Sequence, residues 1–203
     1  MQICEKNMNK LDIIFSDWID MMKNQSASLN DISDKIREKK ISITPDDQFK
    51  ENFSKFSSKD TKVMEFYLRH LEEYRRKKEG NRSGVKEELT IEHIIPKTLD
   101  DLSEWYGDTS VPDEIREDFQ DNVVENIGNK ILIYGDDNSS AGNNNYRIKQ
   151  DIYRNGKQNQ KQGTPMDTFQ LVKDLLNNYP SKFNHEEVQS RAKELSNYAV
   201  DIW

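Results

Sequence analysis

Apolar residues near the start of the chain recur every three or four positions. Leu11, Ile14, Phe15, Trp18, Met21 and Met22 fall on one helical face at that spacing and predict a first helix. Leu29 to Lys39 reads as a second, and Pro45 to Phe56 as a third with Phe49, Phe53 and Phe56 in register, opened by Thr44-Pro45-Asp46 in good N-terminal order. Val63, Phe66, Tyr67, Leu71 and Tyr74 mark a longer helix, and stripes of this kind are core faces rather than ligand boxes. The pattern then changes. After the polar break at Glu79 to Gly84, Leu89 to Ile95 is dominated by β-branched and apolar residues and predicts a strand, which Pro96 helps to end because it has no N–H to donate. Residues 97–126 form a long acidic, weakly periodic insertion containing Trp105, Pro112 and Phe119, expected to hold loops and one short helix. Lys130 to Tyr134 predicts a second short strand and Gly135-Asp136-Asp137-Asn138 a turn. Asn143 to Tyr153 follows as a helix with Tyr146, Gln150 and Tyr153 on one side. Arg154 to Gln162 reads as an exposed loop, Pro165 as the start of a helix carrying Phe169, Val172, Leu175 and Leu176. Asn184 with Glu187 has the form of a capping box for a last helix bearing Val188, Ala192, Leu195, Ala199 and Ile202.

A strand, a loop, a strand and a helix set among helices predict an α+β fold, mostly helical around a small ββα core. A chain of 203 residues is expected to form one globular domain, with an N-terminal helical region at 1–86, a core at 87–155 and C-terminal helices at 156–203 packed on it. Hydrophobic and charged residues each make up 33%, which implies a thin core, while the regular aromatic spacing excludes a disordered polyampholyte. The formal net charge of −7 excludes the whole molecule as a trap for nucleic acid, so phosphates would have to meet local basic surfaces. Two such segments flank the predicted core: Arg75-Arg76-Lys77-Lys78 with Arg82 and Lys86, and Arg147, Lys149, Arg154, Lys157 and Lys161. Either alone reads as a solvated helix end or polar loop. Cys4 is the only cysteine, which rules out an intramolecular disulfide and a cysteine-rich zinc knuckle and fits a reducing cytoplasm. With no 18-residue apolar run and no basic n-region before an apolar stretch, the expectation is a cytoplasmic protein with no membrane association.

Candidate chemistry sits at the end of the first strand, in Ile91-Glu92-His93-Ile94-Ile95-Pro96. Hydrolysis of a phosphodiester needs a base for water, a cation to neutralise charge on the leaving oxygen, and groups that fix both. An imidazole with an ordinary pKa near 6.5 is largely neutral at cellular pH, so His93 can be the base. Glu92 is a hard anion better suited to Mg²⁺ or Mn²⁺ than to zinc. Neighbours on a regular strand point to opposite faces, so both can serve one site only where the strand ends or twists. Asn129 at the head of the second strand is placed to fix the His93 ring by a hydrogen bond, and Asn138, nine residues later, to complete the oxygen ligands of the metal; each taken alone is equally an ordinary turn asparagine. His70, His185, and the acids of the insertion read as surface or core-edge groups.

Glu92-His93-Ile94-Ile95-Pro96, then Gly128-Asn129-Lys130-Ile131-Leu132-Ile133, then Asn138, Asn143, Tyr146 and Lys149 resemble the HNH (His-Me finger, ββα-metal) nuclease domain at the C-terminus of GmrSD-type restriction endonucleases. The likeness runs from about residue 49 to 203, with Val188 through Arg191, Leu195 and Trp203 similar to the closing helix. The interval between Asn129 and Asn138 also resembles that in the HNH domain of RNA-guided CRISPR effectors. The resemblance implies His93 as general base, Glu92 and Asn138 as metal ligands, Asn129 as the residue orienting His93, and Lys149, with Asn143 and Arg147 beside it, near the scissile phosphate or the helix start. It further implies a DNA endonuclease of a bacterial restriction or anti-phage system, using Mg²⁺ or Mn²⁺ and leaving 5′-phosphate and 3′-hydroxyl ends. An NTPase or DNA-sensing domain or subunit outside this chain is the implied partner, with a homodimer as another. Lys97 stands where glutamine is usual in the family, and Lys130 and Ile131 where Leu-Thr is frequent; these read as solvent-facing or strand positions. Two other readings remain open: a catalytically degenerate HNH-fold module that binds DNA or a partner protein, and an RNase.

Overall fold

Two short antiparallel strands organise the middle of the chain. The computed structural model describes residues 45–81, 88–98, 118–156 and 169–203, with Trp105 and scattered positions between 19 and 38. The helix expected over 11–22 lies almost wholly outside them, as do much of that over 29–39, the interior of the acidic insertion and the loop after Gly156. The chain divides into two compact units, Met1–Asn52 and Phe53–Trp203. In the first, Asp31 Oδ2 accepts from Ser28 N (2.8 Å) and Asp31 N donates to Ser28 Oγ (3.2 Å), a reciprocal pairing that opens a helical turn. Helix α1 (Asp46–Ser54) begins there, directly after Pro45 and with Asp46 and Asp47 in its first turn.

In the second unit, α2 (Thr61–Lys78) starts where Asp60 Oδ1 accepts from Lys62 N and Val63 N, and buries Met64, Leu68, Leu71 and Glu72 along one stripe. Strand β1 (Thr90–His93) pairs with β2 (Lys130–Ile133) in the register Thr90↔Ile133, Ile91↔Leu132, Glu92↔Ile131 and His93↔Lys130. The ladder stops at His93 because the next two amides go elsewhere: Ile94 N donates to Asn129 O (2.9 Å) and Ile95 N to Asn129 Oδ1 (2.7 Å). The expected strand over 89–95 is therefore shorter, and Ile94 and Ile95 become core residues of a bend.

The expected turn at Gly135 to Asn138 is instead helix α3 (Gly135–Ala141). Its first turn holds Asp136 and Asp137 at the positive end of the helix, and Gly142, at φ 42°, ends it in a conformation that glycine adopts without strain. Asn145, rather than Asn143, then caps α4 (Tyr146–Asn155) by accepting from Ile148 N at 3.1 Å. Tyr146, Gln150 and Tyr153 face inward as the periodicity predicts, joined by Lys149. Helix α5 (Gln170–Asn178) has no side-chain cap of its own; the buried carboxylate of Glu72 accepts from Gln170 N (2.8 Å) and Leu171 N (2.9 Å) and so ties α5 to α2. The last helix, α6 (His185–Ile202), opens with the predicted Asn184–Glu187 capping box. It packs on the short 3₁₀ turn Ile127–Asn129, where fully buried Arg191 donates from Nη1 to Gly128 O (2.7 Å) and Lys130 O (2.9 Å). The chain is mostly helical with one small sheet among the described residues, an α+β fold. No helix among those residues is long and apolar enough to cross a membrane.

Candidate active site

The pleat of β1 sends Glu92 and His93 to opposite sides. Glu92, 3% exposed, turns toward α4, where its Oε1 accepts from Lys149 Nζ (2.6 Å) and Tyr153 Oη (3.0 Å). Lys149, fully buried, also donates to the His93 main-chain carbonyl at 2.7 Å. Burial pushes the Glu92 carboxyl up and the Lys149 ammonium down, and in each case the partner's charge opposes the shift. Lys149 thus lies near the start of α4, as one of its two expected placements has it, but is enclosed beneath the strand end with no exposed surface to offer a phosphate. It tethers the Glu92–His93 peptide to α4.

His93 turns the other way, onto a cleft of about 300 Å³ whose lining includes Ser58, Lys59, Thr61, Lys97, Glu125 and Lys130. Its side chain is 13% exposed. Nε2 lies 3.4 Å from Glu125 Oε2, and no described residue meets Nδ1. Burial, and then the ammonium of Lys130, hold the imidazole pKa down to about 4, against the opposing pull of Glu125; Lys97 adds to the lowering. The ring is therefore a neutral base at pH 7.

This shift has a consequence for stability. The unfolded chain takes up the His93 proton near pH 6.5 and the folded one only near pH 4, so the stability held by the neutral ring is complete above the former and lost as pH falls toward the latter. Acidification across that window is expected to cost roughly 1–3 kcal/mol through this group. Urea unfolding at pH 7 and pH 4.5, with and without His93→Asn, measures it; equal acid sensitivity in both chains would count against a buried neutral imidazole.

Asn129 is completely buried, and its side chain acts on the main chain, not on the imidazole. Oδ1 accepts from Ile95 N (2.7 Å), while Nδ2 donates to Ile95 O and Val124 O, both at 2.9 Å. It holds the bend that follows His93, and no described bond joins it to the ring in the way the motif leads one to expect. Asn138 donates from Nδ2 to Thr90 Oγ1 and Ile91 O, both at 3.0 Å, which fixes α3 against β1 and leaves Oδ1 with no described donor. Thr90 and Glu92 share a pleat face, so the amide oxygen of Asn138 and the carboxylate of Glu92 belong to the same side of the strand. One carboxylate and one amide oxygen are donors of the kind that a divalent ion of the Mg²⁺ type accepts while keeping several of its waters, but Glu92 Oε1 is already engaged by Lys149 and Tyr153, and no group of three or more His, Cys, Asp or Glu among the described residues is placed to hold a metal. No described contact joins the His93 ring to Glu92 or Asn138. Asn143 and Arg147 are exposed at the start of α4.

Two buried charges were not expected. Composition groups Glu125, 3% exposed, with the solvated acids of the insertion, and Lys130, 2% exposed, with solvent-facing or strand positions. They meet at 2.6 Å, and Lys130 Nζ also donates to Ser58 O at 2.7 Å. Burial pulls the Glu125 carboxyl up, but the hydrogen bond and charge of Lys130, joined by the bond with His93, outweigh it and hold Glu125 below its ordinary range. A local signal existed: Glu125 is a single acid between Val123-Val124 and Ile127, both sides of which are buried.

The geometry and the wider pattern of the chain agree with one comparison. A family model described as the C-terminal domain of GmrSD restriction endonucleases matches residues 43–198. No curated protein and no solved structure matches. The matched span takes in both strands, the bend that Asn129 holds, and the helix bearing Asn138, and it leaves out only the first unit's N-terminal part and the last turn of α6. With well over half of its length covered, the chain belongs to the family of GmrSD restriction endonuclease C-terminal domains.

Proposed function

We propose that this chain is a metal-dependent DNA endonuclease domain of the HNH type. The observation that carries the reading is His93: a neutral imidazole at a strand end, its Nδ1 met by no described residue, beside a cleft with Lys59 and Lys97 at its edge. His93 takes a proton from water, the water oxygen bonds to phosphorus, and the P–O3′ bond breaks to leave a 5′-phosphate and a 3′ oxygen that takes a proton from solvent to become the 3′-hydroxyl. Exposed Lys59 and Lys97 attract the anionic backbone, an interaction that salt weakens. Asn129 keeps the bend after His93 in one conformation. Glu92 and Asn138 are the residues that would hold Mg²⁺ or Mn²⁺, which when bound supplies positive charge for the leaving oxygen. Arg147 and Asn143 are exposed for contact with a second phosphate.

A cytoplasmic restriction or anti-phage role follows the family, as does a partner domain or subunit that senses DNA. The engagement of Glu92 by Lys149 and Tyr153 favours one rival, a degenerate module that binds DNA without cutting. Supercoiled plasmid with Mg²⁺, Mn²⁺ or EDTA decides between them. The native chain is expected to nick DNA with either metal and not with EDTA, and His93→Ala to lower the rate by about 10²- to 10⁴-fold, the usual worth of a general base. DNA binding with no cutting under any metal supports the rival, and cutting by His93→Ala equal to native removes the assignment of the base.

A further inference from the structure

Glu125 lies outside the Glu-His and asparagine motifs, yet among the described residues its carboxylate is the group that faces a ring nitrogen of His93. The carboxylate is held in place from several directions. Lys130 Nζ donates to Oε2 at 2.6 Å and is itself fixed by Ser58 O; Lys97 Nζ stands 3.7 Å from Oε1. The backbone is fixed too, since Glu125 N donates to Gln120 O (2.9 Å) and Ser58 N donates to Glu125 O (3.2 Å). A partner for Lys130 alone would need no particular relation to the histidine. Here Oε2, which receives Lys130, also lies 3.4 Å from His93 Nε2.

An ionised carboxylate only accepts hydrogen bonds, so the nitrogen facing it must carry the hydrogen. In a neutral imidazole that places the lone pair on Nδ1, the nitrogen with no described partner. We propose that Glu125 is the positioning residue of this site: it holds His93 as the Nε2–H tautomer and so presents Nδ1 to the water. When Nδ1 takes the water's proton, Nε2 keeps its own, and the imidazolium forms against a fixed negative charge. The inference rests on His93 being the base, as proposed above.

Ring ¹⁵N shifts of the labelled chain at pH 7.5, with His93 assigned from the signals that His93→Ala removes, read the tautomer without any assay of cleavage. The native ring is expected in the Nε2–H form. Glu125→Ala should give a mixture of tautomers and lower kcat by about 10- to 100-fold with KM for plasmid changed less than about twofold, as expected when a group that orients a catalytic side chain is lost. Glu125→Gln keeps an acceptor oxygen and should recover the Nε2–H form and part of kcat. A native ring in the Nδ1–H form overturns the role of Glu125, even where the alanine chain fails to fold. So does an alanine variant with native tautomer and native kcat, or a glutamine variant as impaired as alanine on both measures. Cleavage that survives His93→Ala overturns instead the reading of the base, and leaves the tautomer result to stand or fall separately.

Discussion

Gly128→Ala is expected to destabilise the second unit by about 3 kcal/mol or more, among the largest effects of a single methyl group. A Cβ at this position would lie 2.1 Å from the Val188 carbonyl oxygen and 3.0 Å from both the Cβ and the N of Ala192. The obstacle is backbone of α6, not the movable end of a side chain. Relief would require the helix or the 3₁₀ turn to withdraw. That movement would break the two bonds from Arg191 to Gly128 O and Lys130 O and open a face where Val188 and Ala192 are fully buried. Against a total stability of about 5–15 kcal/mol for an ordinary domain, such a loss leaves the unit near its unfolding threshold at 37 °C. Thermal or urea unfolding checks it, and a midpoint within a degree or two of native would show that α6 yields freely, contrary to the packing described.

Lys149→Met is the second large effect, and it reaches both folding and chemistry. Removing the ammonium leaves Glu92 in a buried site with Tyr153 and the His93 main-chain N–H as its remaining described donors, and breaking one half of a buried pair costs about 3–5 kcal/mol. The same change releases the His93 carbonyl, whose 2.7 Å bond to Lys149 helps to set the peptide on which the imidazole sits. The double change Glu92→Gln with Lys149→Met removes both charges at little cost in volume, so it should regain much of the lost stability, because neither partner is left uncompensated. It should not regain nicking, since Glu92 is the proposed oxygen ligand. Equal stability of the single and double variants would show that the pair is not coupled, and nicking by the double variant at the native rate would remove Glu92 from the site.

Much of the architecture is legible in the order of residues. The stripes of α2 and α6, the capping box at Asn184 and Glu187, and the order strand, loop, strand, helix all follow from contacts made within a few residues. The period of apolar positions reports such contacts directly. The short helix at Gly135–Ala141 was less legible, because Asp, Asn and Ser are as much at home in a turn as in a first helical turn, and only the packing of α3 on β1 and α4 decides between them. The motif marks Asn129 as a candidate site residue, but its three bonds to the main chain of Ile95 and Val124 depend on where a distant bend arrives.

Sequence alone determined the candidate base, the strand end that carries it and the family that the motif marks, since these depend on residue type and spacing along one or two neighbouring elements. Tertiary structure decided the fate of the charges. Lys149 meets Glu92 across a separation of 57 residues, and Lys130 and Glu125 meet inside a chain whose composition suggests that both are solvated. The physical reason is that burial of a charge is set by what folds over it and by the opposite charge brought within hydrogen-bond reach, and neither is written in the local pattern of apolar and polar positions.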